Sequence, residues 1–176
     1  MTVKTHIVSS LVFGIVIVNF LNIFGVTFEN IGVFQMYLFA VAFGATFPDI
    51  DEPHSYIGRK FPIFSNILNL FVQHRGITHT FMILFLYFLL IVVLIKNSTF
   101  QIIGIGFIIG NMGHILGDML TKSGVAIFYP LYDKNIGLLP REIRFYTGSL
   151  FEYVVVFPVF AGILAYQLYY ISCSLY

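Results

Sequence analysis

Two histidines and an arginine lie close together in residues 73–80, immediately before a long apolar run. His74 and His79 flank Gly76, whose backbone freedom lets both imidazole rings turn toward one point. Neutral imidazole is the commonest side-chain metal ligand, and polar groups near hydrocarbon are costly unless they are paired or bind something. The segment therefore predicts either a metal site or two interfacial histidines that hydrogen-bond to backbone.

Further potential ligands occur along the chain, in short polar blocks at the ends of apolar runs. They are His6, Asp49, Asp51, His114, Asp118 and Glu152. His114 and Asp118 are four residues apart, so they share one face of a helix and suit joint coordination of one ion. Each of the other residues, taken alone, can also be explained without a metal ion.

These alternatives are ordinary structural roles. His6 fits an interfacial histidine, and Asp49-x-Asp51 fits a capped helix end or a solvated turn. Ser149-x-x-Glu152 has the spacing of a helix capping box. His54 lies in a polar loop and is expected to be solvated.

The composition is that of an integral membrane protein. The chain has 176 residues, of which 59% are hydrophobic and only 10% are charged, whereas soluble domains carry about 25% charged residues. Its mean hydropathy is +0.92. The length suits one domain over residues 1–176, and the single cysteine, Cys173, excludes an intrachain disulfide.

Apolar runs predict an all-α polytopic membrane protein with about five transmembrane helices, because about 20 residues cross the hydrocarbon and about 17 is the lower limit. The predicted spans are residues 6–24, 31–47, 79–95, 100–118 and 149–171. Between the second and third spans, residues 61–72 resemble an interfacial amphipathic helix that follows a proline. Between the fourth and fifth, residues 125–129 and 143–146 have strand-like composition, which predicts a small cytoplasmic β-hairpin.

The basic residues predict the orientation in the membrane. With the N-terminus inside, the inner segments hold eight of the nine Lys and Arg residues, and the outer segments hold only Lys96. This bias predicts a multi-pass protein of the cytoplasmic membrane with its C-terminus outside. All five spans then place a potential ligand at the cytoplasmic face. Mixed histidine and carboxylate ligands suit Zn²⁺ or a similar divalent ion.

Four blocks of this sequence resemble the signature of the YdjM family of inner-membrane proteins. The blocks are Pro48-Asp49-Ile50-Asp51, His74-Arg75-Gly76-Ile77-Thr78-His79-Thr80, Gly113-His114-Ile115-Leu116-Gly117-Asp118 and Thr147-Gly148-Ser149 with Glu152. Members of that family are described as metal-dependent hydrolases, and the family is distantly similar to zinc-dependent phospholipases C and single-strand nucleases. The resemblance implies a membrane-embedded hydrolase with clustered metal ligands.

The pattern and the resemblance together favour hydrolysis of a phosphoester, such as a lipid headgroup, by water activated on one or two divalent ions. The expected metal ligands are His6, Asp49, Asp51, His74, His79, His114, Asp118 and Glu152. Asp51 and Arg75 are the expected catalytic residues. Arg75 would clamp phosphate oxygens, with Arg59 and Lys122 as further substrate-binding residues.

The same sequence features allow other functions. A metal-stabilised membrane scaffold or regulator is the main alternative to an enzyme, and the same ligands would also serve hydrolysis of an ester or an amide. A metal or proton transporter is disfavoured because the outer halves of the spans are almost wholly apolar. Nucleic-acid binding is disfavoured because the membrane orientation explains the basic residues.

Overall fold

The chain folds into a bundle of helices in which one long helix occupies the centre. A computed structural model describes residues 1–22, 28–71 and 76–174. The α-helices are α1 (Val3–Asn22), α2 (Ile31–Gly44), α3 (Tyr56–Lys60), α4 (Pro62–Phe71), α5 (Phe81–Leu94), α6 (Ser98–Met119) and α7 (Phe157–Ser174). Two 3₁₀ segments, Phe47–Asp51 and Ile77–His79, and a π-helical turn, Glu152–Val156, lie between them. The all-helical prediction is confirmed.

Among the described residues, three helices are long and apolar enough to cross a membrane. They are Val3–Asn22, Ser98–Met119 and Glu152–Cys173. The other two predicted spans exist as apolar helices, but α2 and α5 have only 14 residues each. At 1.5 Å per residue such a helix is about 21 Å long, less than the roughly 30 Å of hydrocarbon. The predicted count of five spans is therefore not supported.

The two short helices are short because their site-side ends change conformation. Pro48 follows α2 and cannot donate a backbone hydrogen bond, so the chain tightens into the first 3₁₀ segment. Thr80 is the N-cap of α5, because its side chain accepts a hydrogen bond from the backbone of Ile83. His79 therefore lies before the helix, in the second 3₁₀ segment. Polar residues at these ends therefore lie on short turns and not on continuous spans.

The centre of the bundle is α6, which packs against α1, α2 and α5, while α7 packs against α1. Small residues permit this close packing. A Cβ atom at Gly110 would collide with the backbone carbonyl of Val41. The hydroxyl of Tyr37 donates to the carbonyl of Gly14 at 3.0 Å, so the buried phenol ties α2 to α1. The starts of α1 and α5 and the ends of α2 and α6 consequently meet at one end of the bundle.

The segment between α6 and α7 is an irregular loop, and the predicted β-hairpin is wrong for these described residues. They contain two isolated bridges, Thr121 with Phe145 and Val125 with Ile136. Val125 is fully buried and packs with the hydrophobic core beside α6. The backbone of Phe81 bonds the carbonyl of Ile127 at 3.0 Å. These residues pack against the helices, so no regular ladder extends from the two bridges.

Candidate metal centre

His114 lies at the middle of the candidate site, near the C-terminal end of α6. Its Nδ1 atom is 2.7 Å from the carbonyl oxygen of Ala45. A carbonyl oxygen only accepts hydrogen bonds, so Nδ1 carries a proton and donates it. The other ring nitrogen, Nε2, lies 3.4 Å from Asp49 Oδ1 and 3.9 Å from Asp118 Oδ2. It is buried and makes no hydrogen bond to the described part of the chain.

Two groups of ligand atoms meet at His114, and each could hold a metal ion. We call His6, His114 and Asp118 the helix triad, and Asp49, His79 and His114 the turn triad. The helix triad is borne on α1 and α6, whereas Asp49 and His79 lie on the two 3₁₀ segments. The structure therefore brings together five of the residues that the sequence predicts as ligands.

The helix triad is held by direct packing between α1 and α6. The imidazole rings of His6 and His114 stack with centroids 3.7 Å apart and planes within 8° of each other. His6 Nε2 lies 3.2 Å from Asp118 Oδ1, and the Met1 ammonium donates to the same oxygen at 2.6 Å. All three side chains are about 1% exposed, so water has almost no access to this side of the centre.

Glycines of α6 make room for His6. A Cβ atom at Gly117 would lie 3.1 Å from His6 Nδ1 and 2.7 Å from Met1 Cε, and one at Gly113 would lie 2.5 Å from Ser10 Oγ. Larger residues at either position would push α1 away. Because these glycines face α1 on the same side of α6, they place the His6 ring against the His114 ring.

The turn triad is more open. Asp49 Oδ1 lies 3.6 Å from His79 Nε2 and 3.4 Å from His114 Nε2. The rings of His79 and His114 meet edge to face, with centroids 5.2 Å apart. Asp49 is 27% exposed, whereas His79 is fully buried. The carboxylate of Asp49 is thus the accessible edge of the centre.

The charge states of the two 3₁₀ residues suit metal binding. Burial alone would raise the pKa of Asp49, but the facing rings of His114 and His79 hold it well below its usual range. Burial lowers the pKa of His79, although Asp49 partly opposes this effect. At neutral pH the pair is therefore a carboxylate and a neutral imidazole, the forms in which both side chains bind metals.

The donor set fits a divalent ion. Nε2 of His114 faces two carboxylates, so a cation belongs between them, either a proton on the ring or a metal ion that replaces this proton. The lone pair of Nε2 can bind only one ion, and Nδ1 is already bonded to Ala45. His114 therefore serves one ion at a time, which either triad or both together could hold. Histidine nitrogens and carboxylate oxygens are typical ligands of Zn²⁺.

Two predicted ligands lie outside these triads in the described structure. Asp51 is fully buried and accepts a hydrogen bond from Thr78 at 2.6 Å. Glu152 is also fully buried: Oε1 accepts from the backbone and the hydroxyl of Thr2, and Oε2 accepts from the backbone of Gly148. The backbone of Glu152 donates to Ser149 Oγ at 3.3 Å. This last bond is one half of the capping box, while the carboxylate joins the start of α1 to the segment before α7.

The remaining predicted site residues have varied positions. His74 and Arg75 lie outside the described residues. Arg59 is exposed on α3, and the ammonium of Lys122 lies 5.1 Å above the ring of Tyr146. His54 is exposed, as expected for a solvated loop residue.

Two groups in contact with the candidate ligands, Thr78 and the carbonyl of Ala45, match none of the ligand patterns in the sequence. Thr78 hydrogen-bonds to both Asp51 and His79, and its position directly before a candidate ligand was an available signal. The Ala45 carbonyl had no such signal, because any residue at the end of α2 presents one.

The fold and the site define a helical membrane protein with a candidate metal centre at one end of its bundle. The chain matches the YdjM inner membrane protein family over residues 1–175, and it belongs to that family. The predicted resemblance to the family is therefore confirmed.

Individual relatives extend this match. The chain is 32% identical over 130 residues to the protein YvsG of Bacillus subtilis (strain 168), covering 73% of this chain and 74% of the relative. It is 32% identical over 85 residues to the inner membrane protein YdjM of Escherichia coli (strain K12), covering 47% of this chain and 43% of the relative. No solved structure matches the chain significantly.

Proposed function

We propose that this protein is a membrane-bound, metal-dependent hydrolase that acts on a phosphoester such as a lipid headgroup. The observation that carries the proposal is the position of His114 Nε2, which is buried between the carboxylates of Asp49 and Asp118. A buried lone pair that faces two carboxylates is a ready site for a divalent cation. The sequence motifs, which resemble those of zinc-dependent phospholipases C and nucleases at a distance, favour the same assignment.

The chain's own residues supply the ligands and their orientation. His6, His114 and Asp118 would hold a divalent ion from the helix side, and Asp49 and His79 from the turn side. A bound divalent ion would supply a Lewis acid and lower the pKa of coordinated water to about 7. Asp49 is the partly exposed ligand, so a substrate would approach the centre along its edge. Arg75 keeps its proposed role as a clamp for phosphate oxygens.

A lipid substrate is favoured by α4, which follows the exposed Arg59 and Lys60. The helix has 10 residues and is about 15 Å long, too short to cross the hydrocarbon. Its apolar face is exposed, with Leu70 79% accessible. Asn69 Nδ2 donates to the carbonyl of Asp51 at 3.0 Å, so α4 is attached to the turn side of the centre. Such a helix is typical of the membrane interface.

We also propose that the site end of the bundle faces the cytoplasm, because eight of nine basic residues fall on that side. Cysteine labelling tests this orientation. The native Cys173 is exposed at the far end of α7 and should react with an impermeant reagent added outside intact cells. In a Cys173→Ser background, His54→Cys should react only after the membrane is opened. The reverse pattern would overturn the orientation.

The central experiment combines metal analysis with turnover. Wild type, His114→Ala and the exposed control His54→Ala are purified without chelator, and bound divalent metal is measured by mass spectrometry. Hydrolysis of phospholipids and of a chromogenic phosphodiester is measured on the same samples. We expect about one to two ions per chain, with hydrolysis, in wild type and His54→Ala. His114→Ala should lose both. Wild type that neither contains nor takes up metal would refute the proposal.

The alternative function is a metal-stabilised membrane scaffold or regulator. It is favoured by the burial of four of the five ligands, since His6, His79, His114 and Asp118 are each at most 1% exposed. A structural site is closed, whereas a catalytic site keeps an open position. Bound metal that raises thermal stability without any hydrolysis would favour the scaffold.

A further inference from the structure

Thr78 connects Asp51 to His79 in the described structure. The hydroxyl of Thr78 donates to Asp51 Oδ2 at 2.6 Å, and the same oxygen lies 2.9 Å from His79 Nδ1. We infer that Asp51 and Thr78 are positioning residues that orient His79 as a metal ligand. The inference rests on the proposed metal centre and gives Asp51 a different role from that of a direct ligand.

The direction of the hydrogen bonds determines which nitrogen of His79 can bind metal. A hydroxyl has one proton, and Thr78 gives it to Asp51. Its oxygen can then only accept from His79, so Nδ1 carries the ring proton. The lone pair consequently lies on Nε2, the atom 3.6 Å from Asp49 Oδ1 in the turn triad. The connection through Thr78 thus selects the tautomer that the triad requires.

The connection is anchored on both sides. Asp51 is fully buried at the end of the first 3₁₀ segment, where its carbonyl accepts from Asn69 of α4. Asp51 therefore has a fixed position from which its carboxylate can hold Thr78. A carboxylate acting through a hydroxyl also makes the imidazole a stronger ligand, as carboxylate partners of metal-binding histidines do.

The two histidines that face Asp49 are thus oriented by different means. His114 donates to the neutral backbone carbonyl of Ala45, whereas His79 depends on two side chains. Any residue could supply the first acceptor, but only particular side chains can supply the second. Substitutions can therefore test the second connection without altering a ligand.

Thr78→Val tests the inference because valine has the shape of threonine without its hydroxyl, and Thr78→Ser retains the hydroxyl. Zinc affinity is measured by competition with a chromophoric chelator. We expect Thr78→Val to weaken binding about 10- to 100-fold, the usual cost of losing an outer partner of a metal ligand. Thr78→Ser should stay close to wild type. Thr99→Val is the matched control, because Thr99, in the first turn of α6, also donates to a carboxylate, that of Glu29, but at the exposed end of the bundle far from the triads.

The tautomer of His79 gives a second readout that needs no metal. ¹⁵N spectra of the five histidines are recorded on metal-free protein, and His79→Gln assigns the His79 signals. We expect the proton on Nδ1 in wild type and Thr78→Ser, and a mixture of tautomers in Thr78→Val. If Thr78→Val does not fold, Asp51→Asn is measured in the same way and should weaken zinc binding about 10-fold.

The two readouts separate this inference from the proposed function. Wild-type zinc affinity together with an unchanged Nδ1 proton in Thr78→Val would overturn the positioning role while leaving the metal centre intact. Two results together would support the connection but refute the metal centre. They are that wild type binds no metal and that Thr78→Val loses the Nδ1 proton that wild type carries.

Discussion

The helix triad and the turn triad, which share His114, each bring three ligand atoms together, but different interactions position them. On one side, His6 and Asp118 are borne on α1 and α6, and their positions follow from close helix packing and ring stacking. On the other side, Asp49 and His79 are borne on short 3₁₀ segments, and a side-chain hydrogen bond with Thr78 holds His79. Helix packing, supported by the contact of Asp118 with the Met1 ammonium, positions the helix triad, whereas in the turn triad the position of His79 depends on a hydrogen bond to Thr78.

Because of this difference, we expect the two triads to affect different properties, the helix triad the stability of the bundle and the turn triad the reaction at the bound ion. The helix triad is buried, so replacing its members disturbs the bundle itself. The turn triad includes the partly exposed Asp49 and adjoins α4, whose apolar face is exposed. We expect the helix triad to set the position of an ion and the turn triad to set its access to substrate.

The largest effect is expected at the residue that both triads share. His114→Ala removes the only ligand common to them, so metal affinity should fall by more than about 100-fold, beyond the cost of losing an outer partner. The exposed His54→Ala should bind metal like wild type. Metal titration of both variants checks this. If His114→Ala retained wild-type affinity, the two triads would not share a centre.

The next largest effect is a difference in metal-free stability between variants of Asp118 and Asp49. Asp118→Asn breaks the buried ion pair of Asp118 with the Met1 ammonium, so it should destabilise the metal-free protein by about 3 kcal/mol, as breaking a buried ion pair does. Asp49→Asn removes a partly exposed carboxylate and should destabilise the metal-free protein less, because solvent screens part of its interaction with His79 and His114. Both variants should lose metal affinity. Thermal unfolding in detergent, with and without zinc, measures the contrast.

Equal losses of stability in the two variants would contradict the division between the triads. Equal stability combined with loss of metal binding in Asp49→Asn alone would show that the ion lies wholly in the turn triad.

The convergence of ligands at one end of the bundle was predictable from sequence. Successive helices reverse direction, so polar residues at the start of α1, the end of α2, the start of α5 and the end of α6 necessarily meet. Periodicity also placed His114 and Asp118 on one face of α6. These predictions depend on the order of apolar and polar segments, which a sequence displays directly.

The particular roles of the carboxylates were not predictable in the same way. Asp49 and Asp51 are two residues apart in a 3₁₀ segment, and only tertiary contacts decide that one faces His114 while the other faces Thr78. Glu152 matched both a ligand and a capping residue, and its hydrogen bonds to Thr2 depend on how α7 meets α1. The prediction of a β-hairpin was wrong because apolar residues of that loop pack on the helices.

A smaller effect is expected from the glycine that admits His6. Gly117→Ala places a Cβ atom 3.1 Å from His6 Nδ1 and 2.7 Å from Met1 Cε, and such overpacking costs about 1–3 kcal/mol. Metal affinity should fall modestly because His6 shifts. Gly162→Ala on α7 is the matched control, since nothing lies within 4 Å of its Cβ position. Helix propensity should make that variant neutral or more stable by up to about 1 kcal/mol.

Thermal unfolding and zinc titration of both glycine variants decide whether packing positions the helix triad. If Gly117→Ala behaves like Gly162→Ala, α1 has room to adjust, and the contrast between a packed triad and a hydrogen-bonded triad loses its basis.

The smallest perturbation locates the turn triad relative to the membrane. The chain contains no tryptophan, so Leu70→Trp introduces a single fluorophore on the exposed face of α4 without touching a ligand. If α4 lies at the interface, its emission should be quenched most by lipids brominated near the headgroup, and zinc affinity should equal that of wild type. Ile163→Trp, on an exposed face within the α7 span, should be quenched most by lipids brominated near the chain ends. The same depth for both tryptophans, or an aqueous environment at position 70, would show that α4 does not lie at the membrane interface. The turn triad would then lose the structural basis for its access to lipid, because α4 is attached to it through Asn69 and Asp51.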